Sequence, residues 1–321
     1  MIPKLLDHRI VTGAASLRVE QPLNPRTDIV IGVEVEPEVI RAVAYDAAFI
    51  PRGKARRSTK LARGTDAVLV RVARCIADAA DEGDLPLAQI NSVGVAIPGQ
   101  VGPGAERSVT AESLNWNGIP LEQMLSAHLN LPVRAANRID VSARAVWLRH
   151  LYQRPGILAM LFLDSTLGGA LLHDSQVLSP DAAPAFHHLI AETRSSWERR
   201  IPDEWRNRAT RDWRKAIKRG ESAVCDFVED SMPELGRCIV RLADEARPDV
   251  IVIGGGMMED RRAMMIEKIL AHVRALGSSV TDLDRRITYS ELGENAVLLG
   301  AAALARDEMK RVSALEAAAV P

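Results

Sequence analysis

Aromatic side chains are scarce in this 321-residue chain, at 4% of all positions. Charge imbalance is missing too, since the formal net charge is −1. A near-neutral chain has no global attraction to nucleic acid or to an anionic membrane. No apolar run reaches the roughly 18 residues that suggest a transmembrane helix, so no membrane partner is expected. Cysteine is nearly absent. Cys75, Cys225 and Cys238 lie far apart and form neither a disulfide framework nor a zinc-binding spacing. They read as buried thiols of a reducing, cytoplasmic protein. Residues 1–28 lack a charged-then-apolar leader pattern. Their scattered Pro, Gly and polar residues read as a linker, or as the remnant of a truncated N-terminal segment.

What is present is aliphatic. Hydrophobic residues make up 47% of the chain, enough for two ordinary domains. Ile29–Val35 reads as a buried strand, and Pro37-Glu38 as a turn into a second strand at Ile40–Tyr45. The cationic run from Arg52 to Arg63 reads foremost as a solvated sheet edge, with nucleic-acid contact as the alternative. Thr65 is the expected N-cap of a helix to Ala80, with Val68, Val72, Cys75, Ile76 and Ala79 on one face. Further strands are expected at Ser92–Ile97, Val133–Ala136, Ile157–Leu163, Gly169–His173 and Asp249–Ile253. Helices are expected at Pro120–Leu129, Ile139–Leu151, up to Ala246, at Asp260–Leu276 and at Asn295–Arg306. The alternation indicates an α/β chain. No internal repeat of fixed period is visible, and the Ala-rich C-terminal tail is expected to fray.

The segment 192–220 holds Trp197, Trp205 and Trp213 among ten Lys or Arg and five Asp or Glu. Three readings are open. The first is a helical insertion packing a Trp face on the body, the second a partner surface, the third a nucleic-acid contact.

Gly254-Gly255-Gly256 follows a strand and precedes a helix. Glycines there let an anion approach the backbone, although a tight turn needs the same residues. A longer ordered set is more specific. Val93-Gly94-Val95-Ala96-Ile97-Pro98-Gly99 is followed by Trp116, Ile119-Pro120-Leu121, Leu131-Pro132-Val133 and Asn137, then by the glycines and Leu298-Leu299-Gly300-Ala301-Ala302. This set resembles the ROK family of bacterial sugar kinases and repressors over residues 29–306. The resemblance implies two ribonuclease-H-like domains with a cleft between them. On it the N-terminal domain is 29–137 plus 297–312 and the C-terminal domain 138–296. Sugar would bind in the cleft, nucleotide beside Gly254–Gly256, and the protein would be a homodimer.

The chain departs from the family pattern where the chemistry lies. Active members carry Asp-x-Gly-Gly-Thr-Lys at the first hairpin, whose small residues cradle phosphate. Here Glu34-Val35-Glu36-Pro37-Glu38-Val39 stands instead. Both glycines are gone, Pro37 has no N–H, and Glu36 and Glu38 repel a triphosphate. Asn137 matches the family's Asn, but Arg138 occupies the place of the catalytic aspartate. A positioned base is worth roughly 10²–10⁴ in rate, and arginine stays protonated near pH 7. Asp140 is turned about 200° away on a helix. Ser113 replaces a sugar-contacting Asn. The Gly-Glu-x-Gly-His segment reads Pro184-Ala185-Phe186-His187-His188, keeping only His188. The cysteines that complete a zinc site in many members are missing, so no metal is expected.

The remaining candidate ligand contacts are Gly99, Ser113, Asn137 and His188, with Gly254, Gly255 and Gly256 as a degenerate nucleotide site. No catalytic residue and no cofactor are expected. The implied function is a catalytically inactive regulator or effector-sensing domain related to sugar-responsive repressors, with a sugar or sugar phosphate as ligand. DNA would be a partner only through a helix-turn-helix module missing from this chain. The alternatives are an active sugar kinase with an unusual site, and a structural or dimerisation module without ligand.

Overall fold

The computed structural model describes residues 28–103, 107–150, 156–206, 208, 210–259, 261–293 and 295–319. Expectations for residues 1–27, Leu151 and Asp260 lie outside them. Contacts divide the chain into two units. One runs to Ala145 and resumes at Ala296; the other is Val146–Asn295. The division falls inside a helix, after its residue Ala145, rather than at its start.

The first unit contains β1 Ile29–Val35, β2 Val39–Tyr45, β3 Pro51–Ser58, α1 Thr65–Glu82, β4 Ile90–Ile97, β5 Gln100–Val101, β6 Val109–Ala111, β7 Trp116–Ile119, α2 Leu121–Leu129 and β8 Val133–Asn137. The helix α3 Arg138–His150 follows. The main sheet has the order β3-β2-β1-β4-β8. β1 pairs antiparallel with β2 and parallel with β4. Every residue of β1 is buried, as suits a central strand covered on both faces. Strands β5, β6 and β7 form a small separate sheet that the sequence reading missed. They are two to four residues long, too short for a periodic signal.

The start of α1 differs from expectation. Its N-cap is Gly64, with no side-chain cap, so Thr65 is the first helical residue. The predicted apolar face is buried in full. It lies against the sheet core formed by Ile31, Val33, Val35 and Val93.

The second unit contains β9 Ile157–Leu163, β10 Leu167–His173, β11 Gln176–Val177, α4 Pro184–Arg200, α5 Thr210–Arg219, α6 Ser222–Ala246, β12 Val250–Gly254, α7 Arg262–Leu276, α8 Leu283–Arg286 and β13 Ile287–Tyr289. Its sheet order is β11-β10-β9-β12-β13. β9 is antiparallel to β10 and parallel to β12, which repeats the pattern of the first sheet. The Trp segment is not one helix. Trp197 sits on α4, Trp213 on α5, and Trp205 in the short turn between them. Trp197 and Trp213 are buried and both meet Phe227 of α6, at ring distances of 4.9 and 5.4 Å. Trp205 packs edge-on to Trp213 at 5.2 Å. Trp197 and Trp213 are core and Trp205 is half-buried against them, which removes the exposed apolar face that favoured a partner surface.

The last helix, α9 Asn295–Ala319, continues past the expected end at Arg306, so the Ala-rich tail is helical to Ala319. It lies across the first sheet at very close range. A methyl group at Gly32 would stand 2.1 Å from the Leu298 carbonyl, and one at Gly94 would stand 1.8 Å from that of Ala301. Ser92 donates its hydroxyl to the Ala305 carbonyl at 2.6 Å. Arg306 clamps the loop after β2, donating to the carbonyls of Asp46 and Ala47 at 2.7 Å each and stacking on Phe49.

Candidate functional site

In the first unit the site is built on the hairpin β1–β2 and on the junction between β8 and α3. The hairpin turn closes on itself. Glu36 donates its N–H to the Val39 carbonyl at 2.8 Å. The Thr59 hydroxyl donates to the Glu36 carbonyl at 2.6 Å, and the Thr59 N–H to the Glu38 carbonyl at 3.0 Å. Pro37 lacks an N–H and that of Glu36 is spent internally, so two donors of a phosphate cradle are gone from the turn.

Arg138 is the first residue of α3, and its guanidinium donates to Glu36 Oε1 at 3.2 Å. The hairpin carboxylate therefore meets the residue that replaced the expected base. Behind this pair, Glu34 is buried, 1% exposed, with Oε2 bonded to Arg41. Its Oε1 is buried and has no hydrogen-bond partner among the described residues. Burial is the main force on Glu34 and raises its pKa from the ordinary value of 4.5 to about 7; Arg41 and Arg138 pull it back and Glu36 adds to the rise. Arg41 was not among the expected site residues. It was readable only as an alternating position on β2, and its role follows from the register that places it opposite Glu34.

Asn137 spends both ends of its amide on the scaffold. Its Oδ1 accepts the Ile139 N–H at 2.7 Å and caps α3, while its Nδ2 donates to the Gly99 carbonyl at 2.6 Å. This joins two expected contacts, Gly99 and Asn137, but in a structural bond. A side chain at Gly99 would collide with the Thr110 carbonyl at 2.3 Å. Ser113 lies exposed in the turn Glu112–Leu114 between β6 and β7.

In the second unit the glycines follow β12 as expected, but a short turn, Gly256–Met258, separates them from α7. Gly255 has φ +104°, and a methyl there would meet the Leu163 carbonyl at 2.2 Å. The Gly256 N–H, which an anion would seek, already donates to Asp164 Oδ1 at 2.6 Å. Asp164 is buried in the turn between β9 and β10, so an internal carboxylate stands at the glycine turn. Nothing in the sequence marks it, because a lone Asp between two strands reads only as a turn residue.

Ala185 lies in the first turn of α4, one of the residues lining an apolar pocket of about 220 Å³ with Leu171, Phe186 and Leu242. Glu245 is the sole charged residue of that lining. A wall of this chemistry lacks the converging polar groups that hold a sugar. His188 is exposed, while the ring of His187 bonds the Leu178 carbonyl at 3.0 Å. Among the described residues, no group of three His, Cys, Asp or Glu side chains is placed to hold a metal.

The ROK family profile matches residues 30–176 and 190–308. The chain belongs to the ROK family. No curated protein matches its sequence significantly. Among solved structures it is similar to a ROK hexokinase from Thermus thermophilus, with 20% identity over 88% of this chain and 99% of the other, at a TM-score of 0.67. It is also similar to a ROK glucokinase from Streptomyces griseus solved with glucose and AMPPNP, with 18% identity over 87% of this chain and 99% of that one, at 0.64. A ROK transcriptional regulator, a homolog of the E. coli MLC protein, matches 89% of this chain with 79% of its own, at 15% identity and 0.64. The fold of this ROK chain is that of the actin and sugar-kinase superfamily.

Proposed function

We propose that this ROK chain is a non-catalytic member, a regulatory or effector-sensing domain related to the sugar-responsive repressors. The observation that carries the reading is the ion pair between Arg138 and Glu36. The residue at the base position is permanently cationic and is held by a carboxylate of the hairpin that should cradle phosphate. Asp164 on the Gly256 N–H points the same way, since it occupies a donor that a nucleotide would use. The protein would act in the cytoplasm, as a homodimer, on a sugar or sugar phosphate. Gly99, Ser113, Asn137 and His188 remain its candidate contacts, and no cofactor or metal is required. Light scattering that gave the monomer mass across micromolar concentrations would sink the dimer.

A second reading is a structural module that binds no ligand. It is favoured by the apolar surroundings of Ala185 and by the scaffold bonds of Asn137. A thermal-shift screen against sugars and sugar phosphates separates the two, because only the sensing domain gains stability from one of them. The rival kinase reading is tested by a coupled assay with ATP, magnesium and a panel of hexoses and amino sugars. Background rates are expected. Turnover near 1 s⁻¹, about the low end for kinases, would overturn the non-catalytic reading.

A further inference from the structure

A run of uncompensated positive charge lies next to the hairpin, along the free edge of β3. Between Pro51 and Ala77 there are eight cations, Arg52, Lys54, Arg56, Arg57, Lys60, Arg63, Arg71 and Arg74, and one acid, Asp66, in a chain of net charge −1. β3 is the terminal strand of its sheet. Two of these cations are committed to internal pairs, Arg57 with Asp78 and Arg52 with Asp46. Arg71 donates to the Ser58 carbonyl at 2.5 Å. Among the described residues no carboxylate forms an ion pair with the side chain of Lys54, Arg56, Lys60, Arg63 or Arg74. All five are exposed.

α1 runs beside this strand and makes the ridge continuous. Arg71 bonds Ser58, Asp78 bonds Arg57, and Glu82 accepts the Lys54 N–H at 2.8 Å. These contacts fix one face of α1 along β3. Arg74 lies between Arg71 and Asp78 on that same face. The cations thus stand on both sides of one strand edge and continue into the turn of Lys60 and Arg63.

The same bonds decide what kind of partner fits. A peptide adding as a further strand needs the outward N–H and C=O groups of β3. The N–H of Lys54 and the C=O of Ser58 are already taken by side chains of α1. A protein surface would need aromatic or apolar anchors, and the run from Arg52 to Arg63 contains no aromatic residue; its Ala55 and Leu61 are half-buried, packed against the core. What remains outward is a row of cations, six of the eight being arginine, whose planar forks suit phosphate oxygens.

We propose that the β3 edge, with α1 alongside, is a contact surface for the phosphate backbone of a nucleic acid, bound without regard to base sequence. Its contribution is positional, adding phosphate contacts while base recognition comes from elsewhere.

The test uses the full chain and a fluorescein-labelled DNA duplex of arbitrary sequence, read by anisotropy. If about four phosphates are neutralised, affinity falls roughly 150-fold between about 50 and 200 mM salt. A variant carrying Lys54→Gln, Arg56→Gln, Lys60→Gln, Arg63→Gln and Arg74→Gln is expected to lose at least 50-fold in affinity at low salt, by the same counterion argument. Its melting temperature should hold, since no ion pair is broken. A control with Arg208→Gln, Lys215→Gln, Lys218→Gln and Arg219→Gln removes comparable charge from the second unit and should bind like the parent. No binding at low salt would overturn the proposal. So would a control variant that loses as much as the edge variant, or equal affinity for polyglutamate, which would point to acidic protein instead.

Discussion

At the residue scale, the replaced base and the altered hairpin act as one change. Arg138 is the partner of Glu36 and one of the two cations that temper buried Glu34. Restoring an aspartate by Arg138→Asp would put three carboxylates together with Arg41 as their remaining counter-charge. We expect that variant to lose about 1–3 kcal/mol of stability, less than for a fully buried pair because Arg138 and Glu36 keep some exposure. It should gain no kinase activity. Adding Glu36→Lys should recover more than half of the loss, and a double-mutant cycle by chemical denaturation measures that coupling. A cycle with zero coupling would mean that the pair does not form. Glu34 gives a pH signature. Its folded pKa of about 7 lies above the ordinary 4.5, so in that window the folded chain holds more protons than the unfolded chain. Stability from this group is therefore complete below pH 4.5 and declines as pH rises through about 7. The difference in melting temperature between Glu34→Gln and the parent should grow in favour of the variant from pH 5 to pH 8, about the limits of that window. A flat difference would refute it. The hairpin's loss of glycine could be read from sequence, and so could Arg138. The bond joining them could not, because 102 residues separate the partners and the link exists only after β8 and β1 share a sheet.

At the scale of elements, legibility followed periodicity. α1 was readable because its apolar positions repeat at helix spacing, β1 because it is a short apolar run, and α2 because Pro120 suits a first turn. The Trp segment packs on the body as its helical reading implied, but not from one helix. An eight-residue spacing imitates a helical face, yet three separate elements carry the three rings and fold them into one cluster against Phe227. That placement fixes the outcome of Trp213→Ala. A buried indole in a cluster leaves a large cavity when removed, so a loss of about 3–5 kcal/mol is expected. A residue serving an outside partner would leave the melting temperature of the isolated chain nearly unchanged. The edge strand was legible as an edge because lysine and arginine blunt such strands. What the sequence hid is that α1 caps the outward backbone groups with Glu82 and Arg71, since that depends on the register of helix against strand.

At the scale of the whole molecule, the ordered motifs carried the family and hence the fold, although no period revealed that the two sheets repeat one topology. Strand order β3-β2-β1-β4-β8 and its counterpart β11-β10-β9-β12-β13 share their pattern of antiparallel and parallel pairs, with unrelated sequences on them. Fold survives such divergence because it needs burial pattern rather than particular side chains. Chemistry does not survive it. With the hairpin turn closed, Glu36 and Glu38 in place and Asp164 on the glycine turn, magnesium ATP should give no thermal shift at millimolar concentration. A nucleotide present at about 100 times its dissociation constant would add about 2.7 kcal/mol, so calorimetry detects even weak specific binding. A clear upward shift would show that nucleotide binding persists despite the lost cradle.

The reach of α9 across the first sheet sets an order of assembly on the ribosome. Gly32 and Gly94 are shaped for the backbone at Leu298 and Ala301, and Arg306 locks the loop after β2. The strands of the first sheet therefore wait until the whole second unit has been made before their covering helix emerges. Val146–Asn295 carries its own core and needs nothing from the C-terminus to close it. A nascent chain arrested just short of Leu298 would thus hold a closed second unit beside an open first sheet, and protease added to stalled ribosomes would cut the older half of the chain first.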